Sequence, residues 1–318
     1  MTLLEVFRAR RRIAPFIQRT PIVESAWLSD ASGARVSLKL ESLQLAGSFK
    51  SRGAFNAVIS RVERGADAST RLVTASAGNH GSALAAAAEA FKLPLVVFTP
   101  VDAPQAKLGA IRRHGADLRA VGRDYDDAER LALAYAKQTG AEFISPYNDA
   151  DVIAGAATVA IEIFEDAPDV DELIVPIGGG GLVSGVASAA KAIDPSCRVI
   201  GVEVEASCAF QTSLRAGRLV EIVPGPTLAD GLGGNPDPRT ITWAYIQRLV
   251  DRIVTVSEKD LRSALVGLVE SDHVIAEGAG AAAVAAVIGC RGEIGGHAVA
   301  AIVTGSNIDR ARLAELLR

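Results

Sequence analysis

Cysteine, methionine, tryptophan and histidine are all scarce in this chain, and neither sign of charge dominates it. Its three cysteines, Cys197, Cys208 and Cys290, have neither zinc-site nor redox-pair spacing. Their odd number also argues against a disulfide framework, so reduced thiols are expected. The four histidines, His80, His114, His273 and His297, are scattered, which argues against histidine-based metal chemistry. Lys and Arg total 33 against 37 Asp and Glu, leaving no basic stripe for nucleic acid. No apolar run reaches the roughly 18 residues of a membrane span. Met1-Thr2-Leu3-Leu4 followed by Arg8–Arg12 is the wrong order for a secretory signal. These absences point to a cytoplasmic protein that engages neither nucleic acid nor membrane.

At 318 residues the chain suits a large core divided between two subdomains. Apolar strand-like runs at 71–76, 93–100, 142–146, 172–177, 198–205, 252–257 and 297–304 alternate with helical patterns. The helical patterns cover 82–91, 104–114, 124–139, 155–166, 182–193, 258–272 and 278–289. Buried strands alternating with helices predict an α/β fold with open, mostly parallel sheets covered on both faces.

Three segments then carry chemistry. In Gly47-Ser48-Phe49-Lys50-Ser51-Arg52-Gly53, Lys50 follows the strand-like Val36–Glu41 and heads a helical stretch. A helix N-terminus disfavours a protonated amine, and only a neutral amine can form a Schiff base. A solvated surface lysine is the simpler alternative for that segment taken alone. In Pro176-Ile177-Gly178-Gly179-Gly180-Gly181-Leu182, a buried strand ends in glycines that open a helix. Without Cβ atoms, several backbone amides can converge on an anion at a helix N-terminus. The spacing is neither the dinucleotide fingerprint nor a P-loop, so it reads as a phosphate cradle or as a tight turn. The third segment, Thr74-Ala75-Ser76-Ala77-Gly78-Asn79-His80-Gly81, is again strand, small turn and helix. Its free amides suit a carboxylate, and Asn79 can donate to an aromatic oxygen; a simple capping turn is the alternative.

Together these segments closely resemble the fold-type II pyridoxal-phosphate (PLP) enzymes, and the resemblance covers nearly the whole chain. Ser48–Val58, Ser145–Gly155 and Pro226–Leu232 are most similar to the threonine dehydratase and serine racemase branch. The resemblance implies a smaller domain over 62–147 inserted in a larger one built from 1–61 and 148–318. The cofactor would lie in the crevice between them, at strand C-terminal ends. The same likeness implies a homodimer or homotetramer.

The resemblance also implies roles. Lys50 would hold pyridoxal 5′-phosphate and then act as the α-proton base. Gly178, Gly179, Gly180 and Gly181 would bind its phosphate, Phe49 would pack beside its ring, and Asn79 would contact the ring hydroxyl. The loop Ser76, Ala77, Gly78, Asn79 and His80 would receive the substrate carboxylate, through backbone donors and the Ser76 hydroxyl. Thr304 would lie beside the pyridine nitrogen, where a neutral hydroxyl cannot hold that nitrogen protonated. The weaker electron sink favours rapid expulsion of a β-substituent; a turn-capping hydroxyl is the alternative for Thr304. Glu277 matches a position near the ring, although a carboxylate at a helix N-terminus accounts for it almost as well.

Two departures narrow the expectation. Serine racemases carry a second serine, acting as acid–base on the opposite face of the cofactor, where this chain has Ala77. They also bind a divalent ion through two carboxylates; Glu203 matches the first, but Ala209 replaces the second. Such an ion needs several oxygen ligands, so no metal is expected. With the sequence ending at Arg318, soon after Thr304, the C-terminal regulatory domain of the allosteric biosynthetic enzymes is not expected.

The resulting expectation is a PLP-dependent ammonia-lyase for a β-hydroxy-α-amino acid, with L-threonine and L-serine as default substrates. Amino-acid racemisation, β-replacement and non-enzymatic phosphate-ligand binding are the alternatives. Gly233–Arg239 departs from the short connection of threonine dehydratases. It either shapes a pocket for a larger substrate (a hydroxyaspartate, a phenylserine or a hydroxyectoine-derived acid) or forms a surface loop.

Overall fold

The structure is a computed structural model that describes residues 1–103, 105–290 and 292–318. Among the described residues, ten strands form two sheets. In chain order they are β1 (Ile22–Glu24), β2 (Arg35–Leu40), β3 (Leu72–Ala75), β4 (Leu95–Pro100) and β5 (Asp117–Gly122), then β6 (Glu142–Phe143), β7 (Glu172–Pro176), β8 (Arg198–Val204), β9 (Arg252–Val256) and β10 (Ala298–Val303). The larger sheet has the order β1-β2-β10-β7-β8-β9, and the smaller one β5-β4-β3-β6. Every pairing is parallel except β1 with β2. The chain leaves the larger sheet after β2, builds the smaller sheet, and returns at β7.

Side-chain alternation explains why the larger sheet is buried on both faces. Ile174, Ile200, Val202, Ala301 and Val303 pack beneath the alanine-rich helix Gly278–Gly289. Their neighbours Leu173, Val175, Val199, Ala300 and Ile302 face the opposite layer, with helices Ala150–Asp166 and Gly181–Ile193. The helix Gly278–Gly289 is buried along Gly278–Val287, because residues that are small on every side let it sit between sheet and neighbouring helices. In the smaller sheet, Leu72, Leu95 and Val97 pack on the helices Lys50–Glu63 and Asn79–Ala90. Val73, Ala75, Val96 and Phe98 face the helix Tyr125–Thr139.

The expected strands and helices are present with small end adjustments; β6 is shorter than 142–146, and position 104 of the expected helix 104–114 lies outside the described residues. The clearest runs in the sequence do not include β5. It is an edge strand of intermediate exposure in which Asp117 and Arg119 interrupt the apolar pattern, as suits an exposed edge.

The helix Lys50–Glu63 stands between the helices Asn79–Ala90 of one sheet and Ala150–Asp166 of the other. Arg52, fully buried, holds it there through two forked ion pairs. Its guanidinium donates to both Glu41 oxygens and to both Glu162 oxygens, each at 2.7 Å. Lys39 Nζ adds a 2.6 Å bond to Glu162. The two cations thus meet two carboxylates, which is what makes such burial tolerable.

Candidate active site

A cavity of about 510 Å³ opens between the two sheets, where β3, β7 and β10 end. All the residues given a cofactor or substrate role from the sequence line it: Phe49, Lys50, Ser76, Ala77, Gly78, Asn79, His80, Gly178, Gly179, Gly180, Gly181, Glu277 and Thr304. Three short segments after parallel strands, the head of the Lys50 helix and the residue before the helix Gly278–Gly289 bring them there.

Lys50 is the first residue of its helix. Its Nζ donates to the Pro146 carbonyl at 3.0 Å and lies 5.0 Å from the Phe49 ring centroid. Burial lowers the amine to about 8, against an opposing pull from Glu277. Desolvation is therefore the main cause, rather than the helix field inferred from the sequence. The Phe49 amide donates to the Thr304 carbonyl at 3.1 Å, tying this segment to the end of β10.

The glycine loop follows β7 directly, with Gly180 at φ +86° capping the helix Gly181–Ile193. Among the described residues, no acceptor takes a hydrogen bond from the amides of Gly178–Gly181, so the helix mouth offers free donors. The need for glycine has a second source here. A Cβ on Gly179 would overlap the Tyr147 ring, and one on Gly180 would crowd Thr242 and Ile246. Thr242 Oγ1 also donates to the Gly179 carbonyl at 2.9 Å.

The asparagine loop leaves β3 through Ser76, whose hydroxyl accepts from the Gly78 amide at 3.3 Å. Gly78 precedes the helix Asn79–Ala90 without a side-chain cap. Asn79 Nδ2 donates to Glu277 at 2.6 Å, and Asn307 Nδ2 donates to Asn79 Oδ1 at 2.7 Å. His80 is buried with its Nε2 against the Ile144 carbonyl at 3.4 Å. Burial, then Lys50, lowers this imidazole to about 3, so it is neutral. Glu277 precedes its helix without capping it through the side chain; its carboxylate is turned toward Asn79 instead. The Thr304 hydroxyl donates to the Ala279 carbonyl at 3.3 Å.

Several lining residues have no role in the sequence reading. Tyr147 backs the glycine loop, and its hydroxyl accepts from the Asp237 amide at 3.0 Å. Asn148 Oδ1 accepts from Ile241 at 3.0 Å. These bonds pull the 233–239 segment inward, and Gly233, Gly234, Asn235 and Pro236 line the cavity. The segment is thus divided: Gly233–Pro236 reach the cavity, while Pro238 and Arg239 are exposed. Both Tyr147 and Asn148 lie within a segment that carries the family resemblance, but nothing local in the sequence announces their contacts. Glu203 is occupied: it accepts from the amides of Phe210 and Gln211 at 2.9 and 2.7 Å.

A family model described as "Pyridoxal-phosphate dependent enzyme" matches residues 13–305. The chain belongs to that family. Its cofactor is pyridoxal 5′-phosphate. The residue set fits that group: a buried amine of lowered pKa, a run of free amides for a phosphate, and a hydroxyl at the end of β10. This PLP-dependent enzyme is 40% identical to an L-threonine ammonia-lyase of Thermotoga maritima, over 97% of this chain and 76% of the relative. It is 36% identical to an L-threo-3-hydroxyaspartate ammonia-lyase of Saccharomyces cerevisiae, over 98% of this chain and 95% of that one. The solved structure of maize serine racemase has a TM-score of 0.91 and 32% identity, covering 99% of this chain and 96% of the other.

Proposed function

We propose that this protein is an ammonia-lyase that converts a β-hydroxy-α-amino acid, with L-threonine and L-serine as defaults, into a 2-oxo acid and ammonia. The observation that carries the reading is that Lys50, the free amides of Gly178–Gly181, Asn79 and Thr304 line one cavity in which position 77 is alanine. When bound, the cofactor withdraws electrons from the substrate's α-carbon and so makes its proton removable. The Gly178–Gly181 amides would hold its phosphate, with Phe49, Asn79, Glu277 and Thr304 around its ring. The amides opening the helix Asn79–Ala90, with the Ser76 hydroxyl, would orient the substrate carboxylate. Lys50 Nζ, with its lowered pKa, is suited to take the α-proton. Ala77 carries no proton for the opposite face, so loss of the β-hydroxyl as water meets little competition from reprotonation on that face.

Incubating the holoenzyme with L-serine, and separately with L-threonine, tests this. Equal amounts of 2-oxo acid and ammonia are expected; the absence of both would overturn it. Racemisation is the second reading, supported by the likeness to maize serine racemase and opposed by Ala77.

The same proposal includes two domains divided as 1–61 plus 148–318 and 62–147, a cytoplasmic location and a homo-oligomeric state. The location is supported by three free cysteines, and the oligomer by the family resemblance alone. Among the described residues, no helix is long and apolar enough to cross a membrane.

A further inference from the structure

Both walls at the mouth of the cavity are acidic. On the smaller-sheet side, Asp102 follows β4, and Asp126 lies in the first turn of the helix Tyr125–Thr139; both line the cavity. Next to them, the Tyr125 hydroxyl lies 3.5 Å from Glu129. On the larger-sheet side stands the loop stitched to Tyr147, which carries Asp237. The groups feel one another across the cleft. Burial, then Asp237 and Asp126, raises the Glu129 carboxyl, and burial, then Asp124 and Glu221, raises that of Asp126.

Asp237 lies behind the lining with the Arg239 guanidinium 3.9 Å away, whereas among the described residues no cation pairs with Asp102 or Asp126. Lys50 is the only Lys or Arg among the described lining residues, and His80 is neutral. In the reaction proposed above, Lys50 is committed to the cofactor, and the head of the helix Asn79–Ala90 to the α-carboxylate. A second substrate carboxylate would therefore approach like charges with no cation among the described lining residues left to pair with it, which opposes binding.

Overall similarity does not decide the matter, since relatives at 40% and 36% identity carry the L-threonine and the 3-hydroxyaspartate names respectively. We propose that the substrate is a β-hydroxy-α-amino acid whose side chain ends in a neutral or cationic group, that 3-hydroxyaspartate is disfavoured, and that Asp126 is a specificity-determining residue. This inference rests on the ammonia-lyase reading.

The test compares kcat/KM of the holoenzyme for L-threonine and L-threo-3-hydroxyaspartate, in the wild type and in Asp126→Asn. L-Threonine should lead by about tenfold or more at low salt. Asp126→Asn should narrow the gap by about threefold, and added salt should narrow it in the wild type by screening. Equal or better turnover of 3-hydroxyaspartate overturns the inference and leaves the lyase reading intact. Failure to release ammonia from either substrate is a failure of the lyase reading. Binding then still decides the specificity: cofactor absorbance is titrated with unreactive L-2-aminobutyrate and L-aspartate. Tighter binding of 2-aminobutyrate supports the acidic wall, and equal or tighter binding of aspartate overturns it.

Discussion

The side-chain amide of Asn79 donates to the Glu277 carboxylate at 2.6 Å, which joins the first turn of a helix on the smaller sheet to the residue preceding a helix on the larger one. Asn307 holds the other end of the same amide. Glu277 also acts on Lys50, favouring its ammonium form against the stronger effect of burial. The carboxylate therefore orients one cavity-lining residue and tunes another.

A pH dependence follows. Attack on an aldehyde needs the neutral amine, and its fraction rises as pH passes through the pKa of Lys50. Uptake of cofactor by the apo-protein, followed by visible absorbance, should accelerate with a midpoint near the value of about 8 rather than that of an ordinary lysine. In Glu277→Gln the anion that favours the ammonium is gone, so the midpoint should move to lower pH. An unchanged or higher midpoint would contradict the assigned influence of Glu277.

Lys50→Ala should abolish essentially all turnover while leaving the circular dichroism of the fold intact, because among the described residues the Nζ makes a single hydrogen bond, to the Pro146 carbonyl, and otherwise lies near the Phe49 ring. Turnover near the wild-type rate would remove Lys50 from the mechanism.

Gly179→Val tests the cradle. Its Cβ would overlap the Tyr147 ring, so either the loop or Tyr147 must move. Cofactor affinity should fall by at least about tenfold, roughly 1.4 kcal/mol, with a smaller change in unfolding midpoint of the apo-protein. Pairing it with Tyr147→Ala should restore part of the affinity if the overlap is the cause. Unchanged cofactor retention in Gly179→Val would place the phosphate elsewhere.

What was legible in the sequence shares a physical basis. Strongly apolar strands such as Leu173–Val175 are buried on both faces, so their pattern survives in one dimension. The glycine loop and the Ser76–His80 turn announce themselves because glycines and small polar residues cluster only where backbone must do the work. Glycine at 179 nevertheless answers to Tyr147 as well as to any anion, a contact between residues far apart in the chain. The inward course of Gly233–Pro236 depends on hydrogen bonds to Tyr147 and Asn148. The acidic mouth likewise forms only when the helix bearing Asp126 faces the loop bearing Asp237, and no local window of sequence contains both.

Arg52→Met probes the support beneath Lys50. The substitution leaves Glu41 and Glu162 buried with Lys39 as the remaining cation. Breaking a buried pair of this kind costs about 3–5 kcal/mol, which should appear as a large drop in denaturant midpoint. A loss below about 1 kcal/mol, the range of surface pairs, would mean that the network contributes little to holding the helix.

Reaction type should depend on position 77. Lys50 and Ala77 line the same cavity, and the methyl group of Ala77 can neither deliver nor accept a proton. A substrate deprotonated by Lys50 can regain its proton from Lys50 with retention, or from solvent with inversion, while loss of the β-hydroxyl competes throughout. Wild-type protein given L-serine should therefore yield far more pyruvate than D-serine. General acid catalysis is commonly worth about 10²–10⁴-fold. Ala77→Ser should accordingly raise the D-serine to pyruvate ratio, most visibly at a pH where the new hydroxyl can exchange its proton with water. Both products are measured from one incubation, so a general loss of activity cannot mimic a change in partition. D-serine forming faster than pyruvate in the wild type would show that another residue supplies the opposite-face proton, and the dehydratase assignment would fall.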